Sequence, residues 1–180
     1  MKNLFASLFV LLVSAAAFAQ VDVGDVFPTI EGTTLEDNVI SVPTDTKDKV
    51  TVLLVAYTAE AQDGSKVWKK HFWEEFMDPN GMGSKMYNCN TYFMFMMTGI
   101  KKLAYGPAIK KIKPGTDAAL YPHVILTKQD VKFYKENLAF KDKDQPNIYV
   151  IDTRGKIVHR EYGRYTDEKM ARIQEKVGEL

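Results

Sequence analysis

Few side chains in this 180-residue chain could carry covalent chemistry. Cys89 is the sole thiol. A single cysteine rules out an intrachain disulfide, a CxxC redox pair and a cysteine-rich zinc site. His71, His123 and His159 form no HxH or HxxxH pattern, so no metal site is expected from spacing. Asp63-Gly64-Ser65 precedes a segment of helical periodicity. It reads as a helix start whose free N–H groups are either capped by Asp63 or Ser65 or open to an anion. Lys101, Lys102, Lys110, Lys111 and Lys113 alternate with Leu103, Tyr105 and Ile109, as in a solvated helix face or a surface for an acidic partner. Met94, Met96 and Met97 have apolar neighbours, which favours core packing over soft-metal binding. No cofactor is implied.

Composition narrows the function classes. The chain holds 24 Lys+Arg against 23 Asp+Glu, a formal charge of +1. That balance argues against holding nucleic acid by bulk electrostatics. A hydrophobic content of 46% suffices for a packed core,. The length fits one domain.

Residues 1–19 read as a secretory signal peptide. Lys2 gives a short positive start, an apolar run broken only by Ser7 and Ser14 follows, and Ala17-Phe18-Ala19 supplies the small-x-small cleavage pattern. The run is too short to span a bilayer comfortably, and no cysteine offers a lipid anchor at the cleavage site. The expected organisation is therefore a signal peptide at 1–19 and one domain at 20–180. The mature chain is expected to be exported, periplasmic or extracellular, without a transmembrane anchor. Cleavage removes Lys2 and no acid, taking the formal charge from +1 to zero.

Hydrophobic patterning then supplies the elements. Residues 21–43 hold short apolar pieces separated by Gly32 and Asp37-Asn38, which predicts an N-terminal β-hairpin. Residues 50–57 are continuously apolar or β-branched, as in a strand buried on both faces. Trp68, Phe72, Trp73 and Phe76 share one face of a helix predicted over 66–77. Further strands are predicted at 86–97 and 123–127, and helices at 107–113 and 128–138. Residues 147–152 and 157–163 flank the tight turn Thr153-Arg154-Gly155-Lys156, which predicts a closing hairpin. Thr166 caps a last helix with Asp167 and Glu168 at its positive end. The order implies an α/β fold with a mixed central sheet and helices on both faces.

Several of these segments together resemble the thioredoxin-like superfamily, particularly its exported redoxin branch. They are Gly24-Asp25-Val26-Phe27-Pro28, the strand at 50–57 leading into a helix, and above all the run from Pro146 through Asp152 and Gly155-Lys156 to Val158. The chain is most similar to the cysteine-free YtfJ family. The resemblance implies a thioredoxin-like domain with an N-terminal hairpin extension.

It also exposes a departure. Thioredoxins carry CxxC where the first central strand turns into its helix, and there the helix N-terminus stabilises a thiolate. This chain has Ala61 and Gly64 near those positions, and neither exchanges thiols. The peroxidatic cysteine of peroxiredoxins is absent from the same region. The resemblance further implies that Pro146 is a cis proline beside that turn, exposing backbone for an extended peptide. Gln145, Pro146, Ala61, Asp63 and Gly64 are thus the candidate binding residues, with strand addition the expected mode. The reading is a non-catalytic protein that binds a peptide or protein partner. The alternative is a thiol-dependent oxidoreductase or peroxidase-like protein using Cys89 alone, although its strand pattern points to a buried, inert thiol.

Overall fold

The computed structural model describes residues 21–97, 105–128, 132, 136–138, 140, 142 and 144–180. The expected signal peptide at 1–19, Lys101, Lys102 and Leu103, and most of the helix predicted at 128–138 lie outside them.

The N-terminal hairpin forms as the turn residues require. Strands β1 (Ile30–Thr34) and β2 (Val39–Val42) pair antiparallel. Asp37 takes a φ of 67° at the turn between them, a conformation that aspartate tolerates better than most residues. Strand β3 (Val50–Ala56) is buried at every position. Its alternate residues explain why. Val50, Val52, Leu54 and Ala56 belong to one core cluster, with Trp68, Phe72, Phe76, Met170, Ile173 and Val177. Leu53 and Val55 point to the other, with Phe27, Ile30, Leu138 and Tyr149. A period of two along a strand covered on both faces produces this division.

Helix α1 (Ala59–Phe72) runs on into a π-turn at Trp73–Met77. It begins seven residues before the predicted start. Thr58 is the N-cap, its hydroxyl accepting from the amide of Ala61 at 3.1 Å. Asp63 and Ser65 do not cap. They sit inside the helix, where Ser65 donates to the carbonyl of Gln62 and Asp63 pairs with Lys66 at 2.5 Å. Gly64 and Asp63 look like helix breakers locally. The threonine cap, two alanines and the burial of Ala61, Ser65 and Trp68 outweigh a glycine penalty of about 1 kcal/mol,.

The next strand is shorter than predicted, because a short helix α2 (Met82–Met86) precedes β4 (Cys89–Met96). Helix α3 (Tyr105–Ile112) and strand β5 (Val124–Thr127) follow. Strands β6 (Asn147–Ile151) and β7 (Ile157–Tyr162) form the expected hairpin, and helix α4 (Asp167–Gly178) has Thr166 as its cap.

Among the described residues, seven strands form one sheet in the order β2-β1-β5-β4-β3-β6-β7. The pairs β3/β4 and β4/β5 are parallel, while β3/β6 and β6/β7 are antiparallel. Helices α1 and α4 cover one face. Residues Val21 and Phe27, with Leu138 and Phe140, cover the other. This mixed sheet with packed helices is the thioredoxin-like arrangement that the sequence implied. No helix among the described residues is long and apolar enough to cross a membrane.

Candidate functional site

Helix α1 follows β3 directly, so its first turns rise from the C-terminal end of a central parallel strand. Antiparallel β6 enters the sheet beside them, next to β3. The β6/β7 register pairs Asn147 with Tyr162. It thereby sets Pro146 opposite Gly163, whose amide donates to the Pro146 carbonyl at 2.9 Å. Gly163 has a φ of 87°, a left-handed conformation that favours glycine,. Its own carbonyl accepts from Nε1 of buried Trp68 at 2.9 Å. Trp68 thus ties α1 to the chain leaving β7.

These contacts shape a groove of about 540 Å³. Glu60, Asp63, Gly64 and Val67 from α1 form one wall, Asp144 and Gln145 a second, and Arg164 and Tyr165 a third. Three of the five candidate residues, Asp63, Gly64 and Gln145, line it. Pro146 is buried just behind, its Cδ 3.5 Å from where a Cβ on Gly64 would lie. Ala61 departs from the expectation. It is wholly buried in the core beneath α1, because the helix starts earlier than predicted and turns that position inward.

Two expectations about Pro146 also change. The cis peptide bond among the described residues is Val42–Pro43, so Gln145–Pro146 is trans. Strand addition at Pro146 is blocked as well. Its nitrogen carries no hydrogen, Gly163 occupies its carbonyl, and β6 already has a neighbour on each side. The preceding carbonyl, of Gln145, accepts from Nδ2 of Asn147 at 3.3 Å. The groove therefore presents side chains more than free backbone.

Its chemistry is mostly that of acceptors. Glu60, Asp63 and Asp144 bring carboxylates, and Arg164 is the one cation among the lining residues. The hydrogen bond from Lys66, with its charge, holds the Asp63 carboxyl below the usual range. Oε1 of Gln145 is buried and has no hydrogen-bond partner. An unsatisfied buried acceptor costs roughly 1–3 kcal/mol. Tyr165 supplies an aromatic wall. It packs edge-on to Trp68 at 5.1 Å, stacks on His71 at 3.9 Å and donates to Asp167 Oδ1 at 2.8 Å. Desolvation, then the bond to Asp167 and the nearby acids, push its hydroxyl up to about 12. It is a neutral donor at physiological pH.

Cys89 lies elsewhere. It opens β4 and pairs with Val50, the first residue of β3, whereas the groove lies beyond Ala56 at the last. Six residues of strand separate the two ends, roughly 20 Å at about 3.3 Å per residue. Burial pushes the thiol up to about 11, with weak opposing effects from Thr91, whose hydroxyl lies 3.8 Å from Sγ, and Lys49. The histidines do not converge. His71 lies 3.5 Å from Glu74, His123 bonds the Thr91 carbonyl at 2.9 Å, and His159 lies 3.2 Å from Glu161. Among the described residues no cluster of His, Cys, Asp and Glu could hold a metal.

Glu60 lies within the segment 59–65 that the sequence placed beside Pro146, whereas Val67, Asp144, Arg164 and Tyr165 carry no such direct signal. The signal for the last two was indirect. A hairpin returning from Pro146 must bring residues 163–165 back beside it, and Gly163 marks the turn.

No family model matches the sequence, and no curated protein matches it significantly. Solved structures do. The thioredoxin domain of a thiol-disulfide oxidoreductase from Bacteroides vulgatus is similar over 88% of this chain and 99% of its own, with a TM-score of 0.59 and 19% identity. A putative thiol:disulfide interchange protein DsbE from Chlorobium tepidum is similar over 88% of this chain and 97% of its own (TM-score 0.56, 17% identity). An exposed lipoprotein thioredoxin from Streptococcus pneumoniae covers 83% of this chain and 99% of its own (TM-score 0.54, 14% identity). At such identities the likeness establishes the fold.

Proposed function

We propose that this chain is a thioredoxin-fold binding protein that recognises an extended peptide or protein segment in the groove between α1 and Gln145, without thiol exchange. One observation carries the reading. Residues distant in sequence converge on one groove, where the carboxylates of Glu60, Asp63 and Asp144 outnumber the single lining cation, Arg164. The complementary segment is basic, with a Lys or Arg reaching Glu60 and an apolar residue lying against Tyr165 and Val67.

The position that carries thiols in thioredoxins is occupied here by a cysteine-free helix. Cys89 is at the other end of the sheet in its neutral form, which weighs against the oxidoreductase or peroxidase alternative,. The arrangement fits the cysteine-free YtfJ-like subtype. In this reading residues 1–19 are removed on export and the domain at 20–180 acts outside the cytoplasm.

Selection from a displayed peptide library on the mature protein tests the proposal. Enrichment of sequences carrying Lys or Arg beside an apolar residue supports it. Enrichment without basic residues, or activity in insulin reduction that depends on Cys89, removes it.

A further inference from the structure

A second cavity opens away from the groove, where the last turn of α1 meets the 3-10 turn at Ala118–His123. It measures about 220 Å³ and is lined by Lys69, Lys70, Trp73, Glu74, Asp117 and Leu120. Its apolar lining residues are Trp73 and Leu120. Its charges are unevenly used. Lys70 and Glu74 face each other at 3.9 Å, and Glu74 also lies 3.5 Å from His71. Asp117 is occupied as the cap of the 3-10 turn, Oδ1 accepting from the Ala119 amide at 3.0 Å. Lys69 is half-buried, yet among the described residues its ammonium has neither an ion pair nor a hydrogen bond. Burial, and then repulsion from Lys66, lower its pKa.

We infer that this cavity is a second binding site, taking a small organic carboxylate with its apolar body between Trp73 and Leu120 and its charge on Lys69. The volume supports a small ligand, since pockets for drug-sized molecules run to roughly 300–1,000 Å³. The chemistry supports an anion. A half-buried ammonium without a counter-charge among the described residues is the unpaired feature of the site, and a carboxylate brought against it gains a charge-assisted hydrogen bond,. An aromatic body gains further from the indole face. Glu74 and Asp117 stand at the same cavity, and both are already engaged. They would select against dianions, so the site favours a monocarboxylate.

The test is a titration of the full mature chain with sodium benzoate, followed by 1H–15N correlation spectra. Saturable shifts are expected at the Trp73 indole N–H and the Lys69 and Leu120 amides, with the Trp68 indole unmoved. Lys69→Met should weaken binding about tenfold or more, the loss expected for one hydrogen bond to a charged group. Lys69→Arg should retain most of it. Benzyl alcohol, of similar shape without the charge, should bind as weakly to the wild type as benzoate does to Lys69→Met. Absence of saturable shifts, equal binding of benzyl alcohol, or unchanged affinity in Lys69→Met would each overturn the proposal.

Discussion

Gly64, on the groove wall, backs onto Pro146 buried behind it. A methyl group built on Gly64 would lie 3.5 Å from Cδ of Pro146, an ordinary van der Waals contact. Gly64 is helical, so its lack of a side chain answers no backbone need. Gly64→Ala should therefore stabilise the fold by about 0.5–1 kcal/mol, read by urea denaturation. Gly64→Phe should fold as well and obstruct the groove, abolishing peptide capture with little change in the denaturation midpoint.

Trp68 joins the two sides of the same site through its bond to the Gly163 carbonyl. Trp68→Phe keeps most of the apolar burial and leaves that carbonyl without its donor. The expected loss is about 1–3 kcal/mol. The Gly163 and Tyr165 amides should exchange faster with solvent than in the wild type, while exchange in the N-terminal hairpin stays unchanged.

Much of this frame is legible in the residues themselves. The continuous apolar and β-branched run at 50–57 reads as a strand covered on both faces, and β3 spans Val50–Ala56 of it. Gly155-Lys156 fixed the closing hairpin, and Thr166-Asp167-Glu168 the start of the last helix. The start of α1 was not legible, because Asp63-Gly64-Ser65 has the local chemistry of a turn. The preference was overridden by the Thr58 cap and by the core contacts of Ala61 and Trp68, which are tertiary. The same error placed Ala61 at the surface. The third wall of the groove, Arg164 and Tyr165, depends on the β6/β7 register and on the bond from Gly163 to Pro146. No local pattern encodes that proximity.

Asp152 makes the closing hairpin sensitive to acid. Burial alone would raise its pKa. Hydrogen bonds from the Lys156 amide and from the Arg154 side chain and amide outweigh that and hold it below the usual aspartate range. A carboxyl depressed in the folded state contributes stability that is present above its unfolded pKa and lost as pH falls through its folded one. Asp152→Asn should therefore be less stable than the wild type at pH 7. The gap should narrow steadily below about pH 4, as denaturation curves across that range will show.

Cys89 is only half-buried, contrary to the sequence expectation of a buried thiol, yet it should behave as an unreactive, neutral thiol. With its pKa pushed up to about 11, its thiolate fraction at pH 7.5 is below roughly one in a thousand. Alkylation by iodoacetamide should be slow in the native protein at neutral pH, rise towards pH 11, and become rapid at pH 8 once the chain is unfolded. Cys89→Ala should bind peptides as the wild type does. Rapid native alkylation at pH 7 would restore the one-cysteine redox reading.

The most direct measurement is calorimetric titration of the tightest peptide from the library selection into four proteins: wild type, Gly64→Phe, Glu60→Lys and Cys89→Ala. The groove account predicts saturable binding to the wild type and to Cys89→Ala with equal affinity. It predicts none to Gly64→Phe, and a loss of about tenfold or more in Glu60→Lys. Equal binding to Gly64→Phe, or binding lost on removing the thiol, would contradict it.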